Sequence, residues 1–101
     1  MPIKIQDKSY KVPGEGNEPN IKGSEIIEIE EHFGLDGLTL LGLLDPSAKP
    51  VKGYSYAKAL FSLAWVVKNR AGEVCSIADV LNDVSIDQIQ PEDDPKEEAA
   101  N

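Results

Sequence analysis

The segment from Tyr54 to Ala71 constrains this chain most, because it reads as a helix of about five turns that is apolar almost all the way round. Lys58, Ser62 and Asn69 recur at i, i+4 and i+11, so the polar positions form one thin stripe. Leu60, Phe61, Leu63, Ala64, Trp65, Val66 and Val67 occupy the other faces. A helix of this kind needs cover on nearly every side. In a chain of 101 residues it is either the centre of a helical bundle or a surface meant for another chain, and the sequence leaves both open.

The remaining residues allow one domain with one modest core. Hydrophobic content is 41%, thinly placed before Ile26, and no large apolar residue follows Ile89. No apolar run approaches the roughly 20 residues of a bilayer helix, and Met1-Pro2-Ile3-Lys4 lacks the basic cluster and apolar stretch of a secretory signal. The expectation is a cytoplasmic protein without a membrane partner. The formal charge is −8, and half of it lies in residues 91–101, where five acids face Lys96 alone. Phosphate binding needs clustered Lys and Arg, so nucleic acid is not an expected partner. Lacking large apolar residues, 91–101 is predicted to be a disordered acidic tail appended to an α-rich domain over 1–90.

Within that domain, residues 1–12 alternate apolar and polar and predict a β-hairpin or extended pair anchored by Ile3, Ile5, Tyr10 and Val12. Two strands do not hold themselves together in water, so they must lie on the helices or add to a neighbour's strand. Residues 13–23, rich in Gly, Pro and Asn, read as a loop, and residues 24–90 read as helical. A first helix is predicted from Ser24, as N-cap, to Phe33, closed by Gly34, with Ile26, Ile29 and Phe33 on the core side and Glu25, Glu28 and Glu31 as a solvated ridge. A second, from Asp36 to Leu44, holds five leucines, and Gly42 there suggests another helix packed closely against it. On the long helix, Leu60, Leu63 and Val67 are expected to face its neighbours. Ser76 with Asp79 marks the start of a fourth helix. Ser85 repeats the cap pattern, and Ile86 and Ile89 are expected to turn back onto the core. The predicted fold is a small, mostly α bundle with a short β element at its front.

Catalytic chemistry is not visible in the sequence. Gly14-Glu15-Gly16 is a GxG fragment followed by Glu18, without the Lys-Ser or Lys-Thr of a phosphate loop. Cys75 has no second cysteine or nearby histidine to activate it and reads as a small buried side chain. His32 and Cys75 do not make a zinc site. The Lys68-Asn69-Arg70 run is accounted for by the helix dipole. The expectation is therefore a non-enzymatic protein with no catalytic or metal residues, no cofactor and no small-molecule substrate.

Taken in order, several segments resemble the tail assembly chaperones of long-tailed (siphovirus) phages and prophages, the actinobacterial-phage type above all. They are Lys8-Ser9-Tyr10-Lys11-Val12, the acidic Ser24-Glu25-Ile26-Ile27-Glu28-Ile29-Glu30 helix ending at Gly34, Ala59-Leu60-Phe61-Ser62-Leu63-Ala64-Trp65-Val66-Val67, Arg70-Ala71-Gly72, and Ser76-Ile77-Ala78-Asp79-Val80-Leu81 followed by Ser85-Ile86-Asp87. The match is one of order and spacing over residues 8 to 90. It implies a helical viral protein of the host cytoplasm, not part of the mature virion. Such a chaperone binds the tape-measure protein and keeps it soluble until the tail tube forms. The tail tube protein is a further partner to expect, as is self-association. The family often makes a longer product by ribosomal frameshifting, and an acidic tail would suit the connector.

Leu40, Leu43, Phe61, Trp65 and Val66 are the expected partner-binding residues, offering an apolar face in acidic surroundings. Two other classes stay open on sequence. One is a phage head-tail or tail structural adaptor. The other is an acidic regulatory protein of the antitoxin or DNA-mimic kind.

Overall fold

The computed structural model describes residues 3–45 and 47–91. Its first element is a hairpin of β1 (Ile3–Ile5) and β2 (Lys8–Tyr10), with Ile3 opposite Tyr10 and Ile5 opposite Lys8. The two-residue turn places both Gln6 (φ 50°) and Asp7 (φ 68°) in the left-handed region, which matches the twist of the strands. Gln6 is an unusual occupant, and partners far along the chain hold it. Its N–H donates to Gln88 O at 3.1 Å and its side chain to Asp83 O at 3.0 Å.

The hairpin is completed by a strand that periodicity did not reveal. β3 (Ile89–Pro91) runs antiparallel to β1, with Ile5 opposite Ile89 and Ile3 opposite Pro91, so the order is β2-β1-β3. Three residues are too few to show an alternation, and proline is tolerated because β3 is an edge strand among the described residues. The boundary expected before residue 91 is therefore one residue early, and the rest of the predicted acidic tail lies outside the described residues. Ile3, Ile5, Tyr10 and Ile89 are buried in the same apolar cluster as the helices. This resolves the choice left open for the hairpin in favour of packing within the chain. Ile86, expected to turn inward with Ile89, stays half exposed.

Helix α1 (Gly23–Phe33) starts one residue earlier than predicted, and Ser24 is not its cap. Lys22 takes the extended N-cap conformation, and its N–H donates to Glu25 Oε1 at 2.8 Å. Gly34 ends the helix at φ 66°, the left-handed geometry expected of it. Helix α2 (Gly37–Gly42) is shorter than the predicted Asp36–Leu44. Asp36 caps it by accepting from Leu38 N–H, while Leu43 and Leu44 continue in i to i−3 hydrogen bonds that tighten its end. The close approach falls at Gly37 and not at Gly42. A Cβ on Gly37 would sit 3.1 Å from both Cγ2 and the carbonyl oxygen of Ile26, whereas one on Gly42 would meet nothing within 4 Å.

Helix α3 (Tyr56–Arg70) is the long apolar helix, capped by Ser55, whose Oγ accepts from Lys58 N–H at 3.1 Å. It lies against α2 and against α4 (Ile77–Asp83), and α2 in turn meets α1. Ala59, Leu60, Ala64, Trp65, Val66 and Val67 are all buried. Even the presumed polar stripe turns inward. Ser62 is fully buried and satisfies its hydroxyl by donating to Lys58 O at 2.8 Å. Of the two readings of this helix, the centre of the bundle is what folds. Leu63, expected beside Leu60 and Val67 in the core, is only half-buried, as are Ala57, Phe61 and Lys68 along one flank. Helix α4 opens as predicted, with Ser76 Oγ accepting from Asp79 N–H and Asp79 Oδ2 accepting from Ser76 N–H, both at 3.1 Å.

Candidate functional site

Two features have functional potential: a polar cluster where α3 meets the β-sheet and the 13–22 loop, and the apolar residues that the bundle leaves uncovered. The cluster is built by the last turn of α3. Arg70, the chain's one arginine, donates to both carboxylate oxygens of Glu25 at 3.0 and 2.7 Å. It also donates to Glu18 Oε1 at 3.4 Å and to the carbonyls of Pro19 at 2.5 Å and Asn20 at 2.8 Å. The guanidinium has five N–H donors in a planar fork, and these contacts use that geometry. Arg70, Glu25 and Glu18 are 13%, 15% and 21% exposed along their side chains. Burial pushes the Glu25 carboxyl up, but the bonds from Arg70 and Lys22 N–H outweigh it and hold it below the usual range. The Glu25 hydrogen bond likewise raises Arg70.

Next to it, Glu73 accepts from Lys8 at 2.8 Å, from the Tyr10 hydroxyl and from Lys68 at 3.3 Å. These bonds, that from Lys8 first, hold its carboxyl down at about 2. Burial, and then the Glu73 bond, keep the Tyr10 phenol protonated far above neutrality. Asn69 completes the joint. Its amide donates to Trp65 O at 2.9 Å and Cys75 O at 3.1 Å, and Trp65 Nε1 donates to Cys75 O at 2.9 Å. Cys75 is half-buried instead of buried, and burial raises its thiol pKa.

Two sequence expectations change here: Glu25 is not part of a solvated ridge, and Lys68-Asn69-Arg70 does far more than complement a dipole. The loop that precedes α1 is tied down at its second half by Arg70. A cleft of about 210 Å³ runs between Ser9–Lys11 on one side and Glu18 and Arg70 on the other. Two of its charged groups, Arg70 and Glu18, are already paired with each other. Nothing in it leaves a nucleophile beside a free base, and the cluster acts as a clamp joining α1, α3 and the loop.

The expected partner-binding residues divide. Leu40 and Val66 are fully buried and Trp65 is nearly so, which removes them from any surface contact. The reason is the same for all three: α3 is covered by α2 and α4, and Leu40 is part of that cover. Phe61 and Leu43 are half-buried and remain within reach of a partner. Of the side chains that do reach solvent, only Leu38 belongs to a segment expected to make contact, the leucine-rich 38–44, and the sequence did not single it out there. Leu38 on α2 is 70% exposed and Ile27 on α1 is 55% exposed, while Val74 stands free in the α3–α4 connection. For Leu38 the available signal was helical spacing, since Leu38 and Gly42 stand four residues apart on the side of α2 opposite Leu40.

Among the described residues no group of three His, Cys, Asp or Glu side chains could hold a metal ion, and no helix is long and apolar enough to cross a membrane. No protein-family model, no curated protein and no solved structure matches the chain.

Proposed function

We propose that this protein is a non-enzymatic assembly chaperone of long-tailed phages, binding the tape-measure protein and holding it soluble until the tail tube surrounds it. The observation that carries the reading is the pair of aliphatic side chains, Leu38 and Ile27, left exposed on adjoining helices of an acidic α-rich body. Apolar groups of this kind suit a helical partner with an apolar stripe, and the surrounding acids keep such a complex dispersed. The order of segments over residues 8 to 90 supports the same reading. With Trp65 and Val66 buried, the proposed contact lies on α1 and α2, and Phe61 and Leu43 stay half-buried.

Co-expression with an otherwise insoluble tape-measure fragment tests this. The fragment should move from pellet to supernatant and co-purify with several copies of the chain. If it stays in the pellet, the chaperone reading fails. A closed ring formed by the chain alone would then favour the structural adaptor.

A further inference from the structure

The outer face of α2 carries a glycine that the fold does not require. Gly42 does not have a left-handed φ, and the space a Cβ would fill is open for 4 Å. Neither backbone geometry nor packing within the chain calls for glycine there, and helix propensity disfavours it. Gly37 on the same helix is different, because Ile26 of α1 leaves no room for its side chain. One turn before Gly42, on its side of the helix, stands Leu38, 70% exposed, with half-buried Leu41 between them. Ile27, 55% exposed, follows the residue against which Gly37 packs. A bare stretch of helix backbone bordered by aliphatic side chains allows a second helix to lie unusually close.

The charges around this face select the occupant. Glu28 and Glu31 are exposed on α1 near Ile27, and Asp36 and Asp45 stand before and after α2. Lys49 and Lys52 of the following loop are outnumbered. A second copy would bring the same acids against these, in a chain of net charge −8, and like charges facing each other oppose association.

We propose that the outer face of α2, with Leu38, Leu41 and Gly42, together with Ile27 of α1, docks an amphipathic helix whose apolar stripe is bordered by lysine or arginine. This deepens the chaperone reading and rests on it for the partner being helical, while the location and the charge preference come from α1 and α2.

The test uses the full chain and two synthetic helical peptides with the same leucine stripe, one flanked by lysine and the other by glutamate. The lysine peptide should bind, shifting the amide resonances of Ile27, Leu38, Leu41 and Gly42. The glutamate peptide should bind about tenfold more weakly or worse. Leu38→Glu and Gly42→Gln should each weaken the lysine peptide by about tenfold or more. Both sites have room for the new side chain, so thermal melting should stay at or above that of the wild type. Failure of the lysine peptide to bind, equal binding of both peptides, shifts centred on Val74 and Leu81, or variants that bind like the wild type would each overturn the proposal. Self-association of the free chain that Leu38→Glu abolishes would also overturn it, by making a second copy the occupant. Lysine-peptide binding at this face without rescue of a tape-measure fragment would leave the docking face standing and remove the chaperone. Rescue that survives Leu38→Glu and Gly42→Gln would do the reverse.

Discussion

Replacing Arg70 with alanine should be among the most damaging single changes to this domain outside its apolar core. The guanidinium makes five hydrogen bonds to four residues, two of them to Glu25. Its removal leaves the Glu25 and Glu18 carboxylates, 15% and 21% exposed, without their cation, and the Pro19 and Asn20 carbonyls without a donor. An exposed ion pair contributes at most about 1 kcal/mol, whereas breaking a buried one costs about 3–5 kcal/mol because a charge is stranded. With about an eighth of its surface in water, Arg70 lies near the buried end, and we expect a loss of about 3 kcal/mol. For a domain of this size that lowers Tm by roughly 12–24 °C. Arg70→Lys should recover less than half of the loss, since one ammonium cannot match the fork geometry. The assay is urea denaturation followed by Trp65 fluorescence, with a double-mutant cycle through Glu25→Gln to isolate the pair. A loss below about 1 kcal/mol, with no coupling to Glu25, would show that solvent screens the cluster as it does an ordinary surface pair, and the clamp argument would fail.

Three further outcomes follow from the same geometry. Glu73 has a folded pKa of about 2 against an ordinary 4.5, so the folded state holds fewer protons than the unfolded one between these values. Its contribution, about 1 kcal/mol after screening, is complete above pH 4.5 and disappears as pH falls towards 2. Glu73→Gln should flatten that part of the stability profile, and an unchanged profile would remove Glu73 from the account. Val66→Asp should prevent folding because Val66 is fully buried, and Phe61→Asp should leave a cooperative melt; the opposite ranking by circular dichroism would invert the orientation of α3. Truncation after Gln90 should move Tm by no more than about 2 °C, whereas truncation after Gln88 also removes buried Ile89 and should cost about 2 kcal/mol; equal effects would mean β3 does not anchor the sheet.

The sequence made visible those parts whose cause lies within a few residues. The Ser76–Asp79 capping box and the left-handed Gly34 depend on neighbours one turn away, and both fold as read. Lys22 shows the limit of that reasoning. It displaced Ser24 as the cap because Glu25, which would otherwise point to solvent, is turned inward by Arg70, 45 residues along. Residues that serve two distant segments at once, Gln6, Arg70 and Glu73, carried no local mark. The candidate contact surface was misplaced for a related reason. Helical periodicity shows that α3 is apolar but not how completely α2 and α4 cover it, so Val66 and Leu40 looked available, and within the Leu38–Leu44 segment it did not single out Leu38 as the exposed one.

The pairing of Ile3 with Pro91 closes the described chain into a near-ring, with its central strand first in sequence and one of that strand's partners last. Loop closure over most of the chain is entropically the most costly contact in the domain, so β3 is expected to dock late in folding. A circular permutant, with the ends joined by a short linker and the chain opened in the exposed 47–53 loop, would turn this longest-range pairing into a local one. It should fold faster than the parent while keeping the same helices, and the order in which the elements are synthesised would then cease to matter to the architecture.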